Sequence, residues 1–202
     1  MQILQNRENG PRPIYPVHGA GLIITAPTSE APNGYIALGL RAGNVYPNTL
    51  HLIAGSLIFD PTDSSESLQS LFYKSVLKRE TQVNLNDIRE TSLFARLIDR
   101  GLTPGDILYA FRVILKLSKE DLQNTMGDNR SSNQHTSFTF IRNDRDGILD
   151  ALRKLYKGKT TNDRNRTIEQ IEILHPAALA LAAHCEIPVV ELQKIAEAAG
   201  KS

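Results

Sequence analysis

The pattern of apolar and polar positions changes period near residue 64, and that change separates two kinds of element. Before it, short apolar runs alternate with turn-forming clusters. Residues 20–26 (AGLIITA) are rich in β-branched side chains and predict a buried strand. PTSEAPNG is a turn signal, after which residues 35–42 (YIALGLRA) return as a hairpin partner. After AGNVYPN, residues 50–60 predict a third buried strand that breaks at Gly55. From Ser64 onward, Leu68, Leu71, Phe72 and Val76 fall at i, i+3, i+4 and i+8, which predicts a helix over 67–82 lying on the sheet. Ser64 or Ser65 can cap it, and Asp60, Asp63 and Glu66 suit its positive end.

Further strands are expected at 91–98 and 107–117, around the turn DRGLTPGD. The second is nearly continuous in apolar character, as a central strand would be. Ser118 with Asp121 has the form of a capping box and opens a short helix. Residues 127–134 (GDNRSSNQ) read as a loop, and the alternation of 136–141 (TSFTFI) as a strand. Ile148, Leu149, Leu152, Leu155 and Tyr156 mark another amphipathic helix. The last forty residues read as helical: a segment capped by Thr167 with Gln170, one opening at Pro176, and one from Pro188 to Gly200. Residues 1–16, polar and carrying Pro11, Pro13 and Pro16, read as an extended arm. Strands around one helix early, with helices later, give an α/β (α+β) fold class with a mixed sheet.

Composition adds mainly exclusions. Hydrophobic content of 41% and charged content of 22% are ordinary globular values, and a net charge of +1 gives no whole-molecule attraction to nucleic acid. Cys185 is the sole cysteine, so an internal disulfide and a multi-cysteine zinc site are excluded. Its alanine-rich surroundings suit a buried apolar side chain better than a nucleophile. No charged start leads into an apolar run, and no run reaches membrane-spanning length, so a soluble, cytoplasmic protein is expected.

The stretches VHGAGLIIT, YIALGLRAGNVYP and HLIAGSLIFD, followed by a helix ending in Arg79-Glu80, resemble the Nudix family of pyrophosphohydrolases over residues 17–157. The resemblance implies a mixed sheet sandwiched between helices. It divides the chain into an arm (1–16), a Nudix-like domain (17–160) and a helical C-terminal extension packed on it (161–202). In that family a glycine-led loop and a helix bearing Arg-Glu and then Glu-Glu hold magnesium on a diphosphate. Here the loop glycine is Gly55 and Arg-Glu is Arg79-Glu80, but Glu-Glu reads Val83-Asn84, and the glutamate expected six residues after Gly55 reads Pro61. Valine offers no ligand atom and asparagine no charge. Glu66 and Glu80 would stand about 21 Å apart along a helix, too far to share an ion.

Glu80 is therefore the catalytic candidate of the box, and a salt bridge to Arg41, Lys78 or another cation is the competing role. Arg41, Gly55 and Arg79 are candidate ligand contacts, Arg41 because the family often carries an arginine there near bound substrate. No metal site is expected; magnesium belongs only to the alternative in which the protein is a divergent nucleoside-diphosphate-X hydrolase. The first expectation is a non-catalytic module for a nucleotide-like ligand or a protein partner. His51 reads as a satisfied sheet residue. A basic run of Arg153, Lys154, Lys157, Lys159, Arg164 and Arg166 against Asp163 admits a second alternative, nucleic-acid association, with Lys157, Lys159, Arg164 and Arg166 as phosphate contacts.

Overall fold

A computed structural model describes residues 17–41, 48–57, 66–98, 107–127, 135–157 and 171–199. Its sheet is built on β1 (Val17–Ile24), which pairs in parallel with β6 (Ile107–Leu115) along its whole length. On the other side two strands share β1. β4 (Ile53–Ser56) pairs antiparallel with residues 18–21, and β2 (Tyr35–Arg41) with residues 23–24. β2 continues away from β1 and is flanked by β3 (Thr49–His51) and β7 (His135–Arg142). The hairpin of β5 (Ile88–Ile98) with β6 completes one side, and β8 (Glu172–Ile173), parallel to β3, completes the other.

Two corrections follow for the strand expected at 50–60. The break falls at Leu52, where the chain leaves β2's half of the sheet for β1's half. Leu52 is fully buried, and its carbonyl accepts a 2.7 Å bond from His51 Nδ1. Gly55 does not break the strand but pairs with Gly19 inside β4. Residues 58–60 lie outside the described residues.

Strand alternation sends Ile23, Phe111 and Val113 to one face, and Leu22, Ile24 and Ile114 to the other. The first face is covered by the helical run α1 (Leu68–Phe72), a π-turn (Tyr73–Leu77) and α2 (Lys78–Thr81), with Leu122 of α3 (Lys119–Gly127). Leu71, Phe72 and Val76 are buried and Leu68 partly so, as their spacing predicts. Ser67 caps the run rather than Ser64 or Ser65, which lie outside the described residues. Phe72 stacks on Phe111 at 4.4 Å. It can do so because Gly19 and Gly21 lie beneath it; a Cβ on either would come within 2.8 Å of the ring.

The opposite face carries α4 (Arg145–Leu155), α5 (His175–His184) and α6 (Val189–Ala199). Asp144 caps α4, accepting from the Gly147 amide at 2.6 Å, and Ser118 and Asp121 bond reciprocally before α3. The alanines of α5 let it approach the sheet closely, and Ala177, Ala178 and Leu181 share a core with Leu22, Leu38 and Leu50. The last forty residues are therefore not all helical: β8 precedes α5 and extends the sheet. The cap expected at Thr167, like the arm over 1–16, lies outside the described residues. Among the described residues, no helix is long and apolar enough to cross a membrane.

Candidate functional site

The π-turn advances the helical phase, so the buried stripe continues through Leu77 to Glu80 and Thr81. Glu80 is only 4% exposed, not at the border of the apolar face as its spacing suggests. Its Oε1 lies 3.0 Å from Nε of Arg79, its chain neighbour, so the carboxylate meets a cation as expected. The Arg79 guanidinium passes over Gly55, where a Cβ would sit 2.7 Å from its terminal nitrogen. Gly55, Arg79 and Glu80 thus come together, and the missing side chain of Gly55 makes the room.

The helix does not continue to Val83 and Asn84. Gln82 adopts a left-handed φ of 57° and ends it, with its amide bonded to the Lys78 carbonyl. Thr81 Oγ1 donates to the Leu77 carbonyl at 2.7 Å and accepts from the Val83 amide, turning the chain inward. Val83 is fully buried in the core beneath α3, and Asn84 caps a short 3₁₀ turn together with Asp87. Glu66 is bonded to Ser70 and to Lys74 at the far end of the run, and Glu90 is exposed on β5. No group of three or more His, Cys, Asp or Glu residues converges among the described residues. Asp60 and Asp63 lie outside them.

Arg41 ends β2, and its charge helps hold down the pKa of His51, which burial pushes to about 4. Lys157 follows α4 and is half-buried; Lys159, Arg164 and Arg166 lie outside the described residues. Arg153 and Lys154 are exposed in the last turn of α4, where Lys154 pairs with Asp150 at 2.8 Å.

A second polar group, not singled out in the sequence, lies on the opposite face of the sheet. Arg112 Nε donates to His184 Nδ1 at 3.3 Å, and His184 Nε2 donates to Asn143 Oδ1 at 2.7 Å. Burial and the Arg112 charge push His184 down to about 4. Cys185, beside it, is half-buried with its thiol pKa raised by burial, as suits an unreactive side chain. The signal was present in β6, where Arg112 is the one charge in ILYAFRVIL.

This arrangement defines a mixed α/β sandwich, with the Arg79-Glu80 helix on one face of the sheet and α4–α6 on the other. No family model matches the sequence, and no curated protein matches it. Among solved structures, a MutT/nudix family protein from Enterococcus faecalis superposes with a TM-score of 0.52 at 10% identity, over 94% of this chain and 70% of that one. NrtR from Shewanella oneidensis, complexed with a 27mer DNA, superposes with a TM-score of 0.51 at 12% identity, over 91% of this chain and 75% of that one. The fold is Nudix-like.

Proposed function

We propose that this chain is a Nudix-like binding module that holds a nucleotide-like ligand without turning it over, with Arg79 and Arg41 as its phosphate contacts. The observation that carries this reading is the early end of the helix at Thr81, which sends Val83 into the core. Metal-assisted diphosphate hydrolysis needs several carboxylate oxygens around one magnesium, which a helix supplies at i, i+3 and i+4. Among the described residues the donors do not fit that ion: Glu80 is buried against Arg79, and the positions after it carry no further carboxylate ladder. A guanidinium partly exposed above a glycine remains suited to an oxyanion.

The test is a paired measurement on a panel of nucleoside diphosphate derivatives. Thermal unfolding with and without ligand should show stabilisation, about 2.7 kcal/mol at a hundredfold excess over Kd. Turnover with magnesium or manganese should stay at background, and Glu80→Gln should leave that background unchanged. Gly55→Ala should weaken the binding by displacing Arg79. Metal-dependent hydrolysis abolished by Glu80→Gln would overturn the proposal and make the protein a hydrolase with ligands drawn from elsewhere.

A further inference from the structure

Alternation along β6 turns Arg112 away from Phe111 and the Arg79-Glu80 helix, toward α5. A cleft of about 590 Å³ opens there, at the C-terminal ends of the parallel strands β1 and β6. Arg89, Arg112, Arg145 and His184 line its polar side; Ile24, Ile114, Pro27 and Pro32 form an apolar wall. Neither Arg79 nor Glu80 borders it.

The charges in this cleft do not cancel. Arg145 is met by Glu191 at 3.1 Å, and Asp144 by Arg142 at 3.4 Å. Arg89 and Arg112 have no carboxylate within ion-pair range among the described residues, and Glu90 beside Arg89 does not pair with it. His184 is neutral near pH 7 and accepts from Nε of Arg112, with its other nitrogen fixed as a donor by Asn143. Arg112 also rests near Phe94, 5.6 Å from the ring centroid. It is held by its Nε and its flat face, and its terminal nitrogens make no bond among the described residues. A guanidinium so held has lost its rotamer freedom already, which lowers the cost of binding through the remaining fork.

We propose that this cleft binds a small phosphorylated molecule, its phosphoryl group between Arg89 and Arg112 and its body against the apolar wall. Two uncompensated guanidinium groups match one phosphoryl dianion, whereas a carboxylate would leave one charge unmet. The volume lies within the usual range for small-ligand sites. This site is independent of the binding proposed at Arg79, on the other face of the sheet.

The probes are phenyl phosphate, inorganic phosphate and benzoate, titrated calorimetrically against the full chain. Phenyl phosphate should bind at least tenfold more tightly than either of the others, because it alone combines dianion and apolar body. Arg89→Gln, at an exposed position that should not disturb folding, should weaken it about tenfold or more. Lys194→Gln, the same change of charge on an exposed face of α6, should not. Saturation should also raise the His184 imidazole pKa, read by NMR, because the anion offsets the Arg112 charge. Three results would each overturn the proposal: equal weakening by Lys194→Gln, tightest binding of benzoate, or loss on Arg79→Gln with Arg89→Gln silent. The last would return the phosphate to the other face and leave the binding proposed there intact.

Discussion

Glu80 and the two histidines at about pKa 4 place buried or half-buried polar side chains where single substitutions can be read cleanly. Replacing Glu80 with Gln keeps its shape and one acceptor for Arg79, so the fold should lose less than about 1 kcal/mol. Glu80→Ala leaves the site without its acceptor and should cost about 1–3 kcal/mol in chemical denaturation. Loss of the fold with Glu80→Gln would mean that the charge itself is structural. His51 and His184 are both held below the ordinary imidazole value of 6.5, chiefly by burial. Above about pH 6.5 they are neutral in folded and unfolded chains alike, and their contribution is fully present. As pH falls toward 4, the unfolded chain takes up these protons first, so stability is lost across that window, by at most about 3 kcal/mol per imidazole. Urea melts of His51→Gln and His184→Gln between pH 7 and 4 should show a shallower pH dependence than the parent. At this scale the sequence was informative about residue type and poor about partners. That Glu80 would meet a cation could be expected; that it would be Arg79 depended on the room above Gly55, which no local pattern announces. Arg112 was visible as a charge within an apolar strand, but only the return of α5 over that face supplies His184.

The helical run over 68–81 is where local pattern and tertiary packing divide the work. Its apolar stripe was legible because Leu68, Leu71, Phe72 and Val76 follow a helical period: Phe72 and Val76 join the core with Leu68 packed against it, and Leu71 is buried. The π-turn was not, since one extra residue per turn is selected by what the helix must cover, and its effect falls on Ser75, Leu77 and Glu80. The break at Leu52 was likewise hidden: HLIAGSLIF offers no turn residue there, and the strand divides because its halves pair with different strands. The packing of Phe72 gives this element its test. The ring is fully buried between Phe111 and the glycines of β1, so Phe72→Ala should cost about 3–5 kcal/mol. Gly21→Ala attacks the same contact from below, placing a Cβ 2.8 Å from the ring tip, and should destabilise by about 1–3 kcal/mol through overpacking. Because both act on one contact, the double variant should lose measurably less than the sum of the two. Additive losses in urea melts would show that the glycine serves some other purpose than admitting the ring.

For the molecule as a whole, the order of the sheet and the role of the C-terminal third were the least legible features. Sequence neighbours β1 and β2 pair in register at only two residues each, while β1 pairs along the length of β6, some ninety positions later. Apolar strands announce their burial and not their neighbours, so a long parallel crossover leaves no local mark. Residues 161–202 read as a helical extension packed on the domain spanning 17–160. In the structure β8 extends the sheet beside β3, and Ala177, Ala178, Leu181, Leu192 and Ile195 belong to one core with Leu22, Leu38, Leu50 and Leu152. A chain ending at Lys157 should therefore expose that face of the sheet and lose β3's outer partner, rather than behave as a trimmed domain. The expected outcome is a loss of the cooperative thermal transition and strong binding of a hydrophobic dye, with much of the far-ultraviolet circular dichroism retained. The same truncation removes His184 and with it the group that holds Arg112, so phenyl phosphate affinity at the cleft should vanish together with cooperativity. A truncated chain that melts sharply within a few degrees of the parent would show that the first 157 residues close a core of their own, and that α5 and α6 are an independent layer laid over it.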